Sequence, residues 1–457
     1  MSPDDIIYVS LLLVSIPIGF LIKNVQSAVH RQWLTFAIGL SVAIATIGFD
    51  VVHSFVTILG TYIICRFAPY RYCHTLGFLY SFLYLLFFRI AHYFGLPKPC
   101  NHSNAIQLIL TIKMASIAFD VHFWHLRKTE SVVVNKLPGL PIKSLPSLFD
   151  FLSYGYCYCG LLSGPYFQYR VYKDMIDNPN AGQIEVLWPA MKRLRWVPIL
   201  VGISLSLGNY RSAYIISEEF YNSTIFDKLF YVLVHFIAFR FRFYIGWALA
   251  ESACVIATLG AYPEATKPRP GAGPTIALDD NTSKNDLYNF ETVYNLDIYQ
   301  IETGTTLRPA MRYWNMTVQW WLSAFIYRYW LRGLPDIIRL VLLFIVSAFW
   351  HGIRAGYYFS FMTTLLCTLG QDRFLSFFSP YFRGSFSSKA FHFVANFVAI
   401  RLYEYSSLGF IFLDIDNTVT VSGSLYYWGH IFSIIMITLS LIKPSSKGVR
   451  EKMSKVD

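Results

Sequence analysis

Apolar residues run through this chain in long blocks separated by short polar breaks. The blocks lie near residues 6–22, 33–49, 51–66, 74–96, 104–121, 148–165, 196–207, 228–260, 335–350, 355–371, 388–403 and 407–442. A helix needs about 20 predominantly apolar residues to cross the hydrocarbon core of a bilayer, so the blocks predict transmembrane helices. The block at 228–260 is long enough for one tilted helix and part of a second, and the block at 407–442 is interrupted by the polar stretch from Asp414 to Asn417. Splitting and merging on that basis gives about eleven spans. No segment alternates with the period of a barrel strand, and irregular backbone at membrane depth is stable only inside a bundle. The predicted class is all-α: a polytopic transmembrane helix bundle forming one integral membrane domain, 1–457.

Proline and glycine punctuate the loops at 96–104, 136–146, 177–182 and 262–274. The longest polar loop is 262–306. It holds Lys-Pro-Arg-Pro-Gly-Ala-Gly-Pro at 267–274, then an acidic stretch, and ends directly before the most unusual helix of the chain. Loops of this length are usually functional or disordered. No internal repeat keeps a convincing register.

Composition agrees with lipid as the main solvent. The 457 residues are 55% hydrophobic and 14% charged, against roughly 25% charged in soluble domains. The mean hydropathy is +0.43, and 39 Phe, 32 Tyr and 11 Trp supply side chains suited to the two bilayer interfaces. The net charge of +11 is spread over short stretches between apolar blocks and forms no continuous basic stripe, which excludes a nucleic-acid partner. Cys65, Cys73, Cys100, Cys157, Cys159, Cys254 and Cys367 are odd in number and mostly isolated, which argues against a disulfide framework. Residues 1–5 are acidic where a secretory signal would be basic, so 6–22 reads as a retained first span. Lys23 and Arg31 after that span, and Lys443, Lys447, Arg450, Lys452 and Lys455 in the basic C-terminal tail, 443–457, place both segments on the cytoplasmic side and the N-terminus in the lumen. The sequons at Asn101, Asn222 and Asn281 do not decide sidedness.

Polar residues inside such a chain are the candidates for chemistry. Helical spacing over 308–323 sets Arg308, Arg312, Asn315, Gln319 and Ser323 along one polar stripe, opposite a face of Trp, Tyr, Phe and Val. Interhelical hydrogen bonding is the ordinary role of such a stripe. Two arginines and an amide exceed what that role requires and suit an anionic group such as a phosphate or the pyrophosphate of coenzyme A. The second element is the apolar helix from Asp336, which ends in Ser347-Ala-Phe-Trp-His351-Gly. Ser347 lies four residues before His351, on the same face. Most of the eleven histidines sit singly beside aromatic residues, where packing is the usual role. His351 differs in ending an uninterrupted apolar run, where the neutral imidazole that can accept a proton is favoured. A neutral histidine and a nearby amide suit acyl transfer from a thioester to an alcohol. The histidine takes the hydroxyl proton, and Asn315 or Ser347 hydrogen-bonds the oxyanion. Asn315 and His351 are far enough apart in sequence to lie on different helices.

Arg240, Arg242 and Glu251 in the apolar stretch 239–251 either bind a phosphate headgroup or pair internally. Lys113 with Asp120, and Arg401 with Glu404, are spaced as helical ion pairs. Gly155, Gly160, Gly164 and Pro165 offer small residues for close packing. No P-loop, dinucleotide fingerprint or metal-binding His/Cys cluster is present, and the chemistry calls for no metal.

Trp314-Asn315, followed by Ser347-Ala-Phe-Trp-His351-Gly, resembles the paired signature of the membrane-bound O-acyltransferases. The opening Met1-Ser-Pro, Ile16-Pro-Ile-Gly-Phe20, Gly164-Pro-Tyr-Phe-Gln-Tyr169, Phe239-Arg-Phe-Arg-Phe-Tyr244 and the stretch 311–322 are similar to the lysophosphatidylinositol acyltransferase branch along nearly the full length. The resemblance implies that Asn315 and His351 are catalytic. It also implies a multi-pass enzyme of the endoplasmic reticulum membrane with no bound cofactor, moving an arachidonoyl-type chain from acyl-CoA to the sn-2 hydroxyl of lysophosphatidylinositol. A central chamber would open to acyl-CoA from the cytosol and to the lysolipid from the bilayer. If the acceptor is an inositol lipid, Arg240, Arg242, Arg308 and Arg312 are the donors available for ring and phosphate. Two other readings stay open at this point. One is the same chemistry on another lysophospholipid, a sterol, diacylglycerol or a protein; the other is a transporter, for which inverted repeats would be the evidence.

Overall fold

The computed structural model describes residues 3–129, 137–207, 212–276, 287–382 and 384–442. Lys136, the sequon at Asn281 and the basic tail 443–457 lie outside the described residues. The chain is predominantly helical, as expected; among the described residues the sheet is one antiparallel pair, Tyr262–Pro263 with Tyr288–Asn289, which closes the base of the long polar loop. Among the described residues, five helical stretches are long and apolar enough to cross a bilayer: Ile6–Asn24, Ala28–Phe67, Cys73–Phe94, Asn101–Thr129 and Ile225–Ile256. The pair Ile415–Ser424 and Trp428–Leu441, bent by 72°, makes a sixth if it acts as one broken span.

Several blocks fold differently from their reading in sequence. The 40-residue stretch Ala28–Phe67 would be about 60 Å long as one straight helix, twice the hydrocarbon thickness. A 3₁₀ turn at Gly48–Asp50, with Gly48 at φ 54°, divides it into Ala28–Ile47 and Val51–Phe67, matching the two apolar blocks. The block 228–260 is instead one unbroken helix, Ile225–Ile256. The block 148–165 holds only the short helix Leu148–Gly155, after which turns and irregular backbone lead to the next helix at Tyr169. In the last block the chain breaks twice, at Leu413, as Asp414 to Asn417 foretold, and at Tyr426 and Tyr427, all three with positive φ.

The chain divides into two compact units. The first comprises the described residues up to Leu200 with Phe243–Leu296 and Asn315–Leu334; the second comprises Val201–Arg242, Asp297–Trp314 and the described residues from Pro335 onward.

In the first unit the helix Asn101–Thr129 runs through the core, 94% buried over its apolar window, so its polar side chains must find partners within the protein. Gln107 Nε2 donates to Thr57 Oγ1 at 2.6 Å. Lys113 does not pair with Asp120: its Nζ lies 3.3 Å from the Tyr154 carbonyl and 4.2 Å from the centre of the Phe167 ring. Two helical turns separate the expected partners, and a carbonyl and an aromatic face satisfy the ammonium first. Arg31 is 2% exposed. Its Nη1 donates to the carbonyls of Met175, Ile176 and Asn178 at 2.7–3.0 Å, and its Nε and Nη2 donate to Val25. The guanidinium thus caps the C-terminus of the helix Tyr169–Asp177, where carbonyls lack intrahelical partners and a cation is favoured. Lys23 Nζ donates to the Ile184 carbonyl. The two basic residues read in sequence as loop charges are both internal contacts in the fold.

Close backbone approach supplies much of the packing. A Cβ at Gly39 would lie 1.5 Å from the Tyr156 carbonyl oxygen, and one at Gly155 would lie 2.6 Å from Ile58 Cδ1. In the second unit, Gly370 of the helix Ala355–Phe378 meets Ser433 in the same way, with 2.5 Å from its Cβ position to Ser433 Cα. All seven cysteines are outside disulfides in the structure. Gly39→Ala must push the helix Ala28–Ile47 off the Tyr156 turn, a backbone clash no rotamer relieves. Thermal unfolding of the purified variant in detergent is expected to show a loss of about 1–3 kcal/mol, the range of overpacked cores, whereas an unchanged melting curve would contradict that contact.

Candidate active site

The segment read as one amphipathic helix is not continuous. Leu307–Arg312 forms one short helix, Asn315 adopts the left-handed conformation (φ 53°, ψ 49°), and a new helix runs Met316–Trp321 before a π-helical stretch at Leu322–Trp330. Asparagine is among the few residues besides glycine that enter this region at low cost, because its short amide tolerates the crowding there. The polar stripe predicted across 308–323 is therefore broken. Arg308 and Arg312 precede the turn and belong to the second unit, whereas Asn315, Gln319 and Ser323 follow it and belong to the first. Arg308 is exposed and paired with Asp372; Arg312 is exposed at its helix end; Asn315 and Gln319 are half-buried.

A line of buried polar groups in the first unit supports the turn. Arg193 Nε lies 3.4 Å from Glu251 Oε2, and its guanidinium lies 3.9 Å from the Tyr294 ring centre. Glu251 Oε1 accepts the Asn295 N–H at 3.0 Å. The Asn295 carbonyl accepts the Met316 N–H at 2.9 Å, and Asn295 Oδ1 accepts both the N–H and the hydroxyl of Thr317, at 3.2 and 2.7 Å. Thr317 Oγ1 in turn accepts the Tyr166 N–H at 2.9 Å. Tyr166 OH lies 2.7 Å from Ser116 Oγ, which accepts the indole N–H of Trp321 at 2.6 Å. Glu251 therefore pairs internally, one of the two roles its sequence position left open. The first part of the long polar loop packs against this line: Gln168 Nε2 donates to the Gly271 and Ala272 carbonyls, and a Cβ at Gly271 would lie 3.0 Å from the Thr317 carbonyl.

The second unit holds His351 at the C-terminal end of the helix Asp336–His351. Its half-buried ring sits among aromatic rings: Phe410 edge-on at 5.0 Å, Phe361 at 5.3 Å, Tyr357 stacked at 6.1 Å, and its neighbour Trp350 at 4.7 Å. Ser347, one turn earlier, is buried. Phe410 is held by backbone. Its N–H donates to Ser360 Oγ at 2.7 Å, the Gly356 N–H donates to the Leu413 carbonyl at 3.0 Å, and Cβ atoms at Gly356 or Gly409 would fall 2.3 or 2.5 Å from the carbonyl oxygen of the other.

Arg240 is buried in an internal pair, its Nη2 donating to Glu302 at 2.8 Å and its guanidinium 5.0 Å from the Phe236 ring, whereas Arg242 is exposed. Arg401 and Glu404 pair at 2.6 Å, as spaced. No group of histidine, cysteine and carboxylate side chains among the described residues could hold a metal ion. Sequence reasoning missed Asn295, Thr317, Phe410 and the glycine pair. Only Glu251, a carboxylate within an apolar block, carried a signal.

Residues 69–403, which include both Asn315 and His351, match the pattern of the membrane-bound O-acyltransferase family. The chain belongs to that family. A membrane-bound acylglycerophosphatidylinositol O-acyltransferase of Homo sapiens is 38% identical over 467 aligned positions, covering 99% of this chain and 97% of the relative. Relatives of the same name from Danio rerio and Drosophila melanogaster are 36% and 30% identical, covering 96% and 99% of this chain and 94% and 95% of their own lengths.

The glycine contact makes the histidine cage testable. Gly409→Ala is expected to displace Phe410 from the His351 ring and lower the rate of acyl transfer by about 10-fold or more, since small misplacements at a reacting centre cost up to about 10²-fold. Initial rates on protein that elutes as wild type from a sizing column check this, and a wild-type rate would show that the ring contact is dispensable.

Proposed function

We propose that this chain transfers an acyl group from acyl-CoA to the sn-2 hydroxyl of lysophosphatidylinositol, giving phosphatidylinositol and free coenzyme A. The observation that carries this reading is the full-length similarity to relatives from human, Danio rerio and Drosophila melanogaster that all bear the name of an acylglycerophosphatidylinositol O-acyltransferase. His351 removes the proton of the sn-2 hydroxyl as that oxygen attacks the thioester carbonyl carbon. The amide of Asn315 donates a hydrogen bond to the oxyanion of the tetrahedral intermediate. The carbon–sulfur bond then breaks, and the imidazolium returns its proton to the departing thiolate. An imidazole held by rings on several sides suits this role, because its orientation is fixed.

The donor chain in this reading is polyunsaturated, of the arachidonoyl type, and the membrane is that of the endoplasmic reticulum, with acyl-CoA arriving from the cytosol to a central reaction chamber. Further helices, among them Asp336–His351, Ala355–Phe378 and Ser385–Ser406, complete a bundle of about eleven spans. Arg242 and Arg312, both exposed, are the candidates for the phosphates of the substrates, with Arg308, Gln319 and Ser347 as further contacts. Arg240 takes part through its Glu302 pair.

Acyl transfer from arachidonoyl-CoA by the purified protein, measured against lysophospholipids that differ only in headgroup, tests the reading. Transfer restricted to lysophosphatidylinositol is expected. His351→Ala is expected to lower it by about 10²–10⁴-fold, the contribution of a general base; Asn315→Ala by about 10²–10³-fold, that of an oxyanion donor. Transfer to another acceptor overturns the substrate and keeps the chemistry; absence of transfer to any acceptor by folded protein overturns both.

A further inference from the structure

A helix leaves its first N–H groups without intrahelical partners, and the residue at its N-cap ordinarily satisfies one of them with its own side chain. Asparagine is among the residues that do this best. Asn315 occupies the N-cap of the helix Met316–Trp321, and its carbonyl accepts the first intrahelical bond, from the Gln319 N–H at 3.1 Å. Its side chain makes no capping bond. The N–H of Thr317, one of the two that an N-cap side chain here would serve, is taken instead by Oδ1 of Asn295, twenty residues earlier, and the Met316 N–H before it by the Asn295 carbonyl.

We infer that Asn295 is the positioning residue for Asn315: by capping the helix in its place, it holds the left-handed turn and releases the Asn315 amide for the reacting carbonyl. The inference rests on the reading of Asn315 as the oxyanion donor. Two features of Asn295 support it. Its orientation is fixed, because turning the amide over would aim Nδ2 at the Thr317 N–H, donor against donor. That fixed orientation leaves Nδ2 buried with no hydrogen-bond partner among the described residues. A fully buried asparagine that leaves one donor unsatisfied so that its oxygen serves Thr317 is held for what that oxygen does. Its backbone is also pinned from the far side, since Glu251 Oε1 accepts its N–H and Arg193 sits on Glu251.

When Asn295 is shortened, the two N–H groups lose one acceptor and the nearest replacement is the Asn315 side chain, which would turn back into the capping position. An interaction made only in the transition state is then lost, so kcat falls while KM for each substrate stays put. The experiment measures kcat and KM for acyl transfer from arachidonoyl-CoA to lysophosphatidylinositol on full-length protein. Its variants are Asn295→Ala, Thr317→Val, Thr317→Ser and Asn315→Ala. Expected are a fall in kcat of about 10²-fold for Asn295→Ala, a smaller fall for Thr317→Val, which loses the hydroxyl bonded to Oδ1, near-wild-type turnover for Thr317→Ser, which keeps it, and unchanged KM throughout. Wild-type kcat in Asn295→Ala beside a crippled Asn315→Ala overturns the inference and leaves the proposed function standing. Wild-type kcat in Asn315→Ala overturns the role of Asn315 itself. If Asn295→Ala does not accumulate as folded protein, the two Thr317 variants decide alone: equal turnover in both overturns the inference.

Discussion

A polar group inside a lipid-solvated chain has to be satisfied by the protein, because the hydrocarbon around it offers neither donor nor acceptor. That constraint explains contacts that look unrelated in sequence. Lys113 settles on a carbonyl and a ring, and Gln107 reaches across to Thr57. The charge on Glu251 is answered by Arg193 on one side and a peptide N–H on the other. It also explains why the break at Asn315 needs support. A left-handed residue starts a helix whose N–H groups have no water to turn to, and a neighbouring segment has to provide acceptors.

Backbone-to-backbone proximity is the other organising device. Without a hydrophobic driving force between helices in lipid, close van der Waals contact carries more of the stability, and small residues permit it. Gly39 lets one helix touch the Tyr156 turn, and the pair Gly356 and Gly409 lets two segments approach until each carbonyl would overlap the other's Cβ. The second contact bears on the surroundings of His351, since the residue after Gly409 is the ring that lies edge-on to it.

The class of fold was legible in the sequence because it leaves a local trace. Span-length apolar runs follow from bilayer thickness, and the blocks at 33–49 and 51–66 are separate helices with a turn where glycine stands. The break at Asp414 was visible as a polar interruption, whereas that at Tyr426 and Tyr427 was not, since two tyrosines in an apolar block carry no sign of positive φ. Helical spacing failed over 308–323 for the same kind of reason. One left-handed residue resets the register, and asparagine is compatible with both a continuing helix and a break. Asn295 was illegible because its importance lies in what it caps across the fold, and nothing in the polar loop around it marks one amide above the rest.

Arg31 has a consequence for the order in which the protein is made. Its guanidinium ends among carbonyls of residues 175, 176 and 178, which lie 144 to 147 positions further along the chain. At about 5–20 residues per second, those acceptors leave the ribosome roughly 7–30 seconds after Arg31 does. Through that interval the guanidinium has only the nearby Val25 carbonyl of its final set of acceptors. The same side chain is thus a cation still without most of its final partners while the chain is being made and a buried cap in the finished enzyme, and a charge count on the mature surface would miss it.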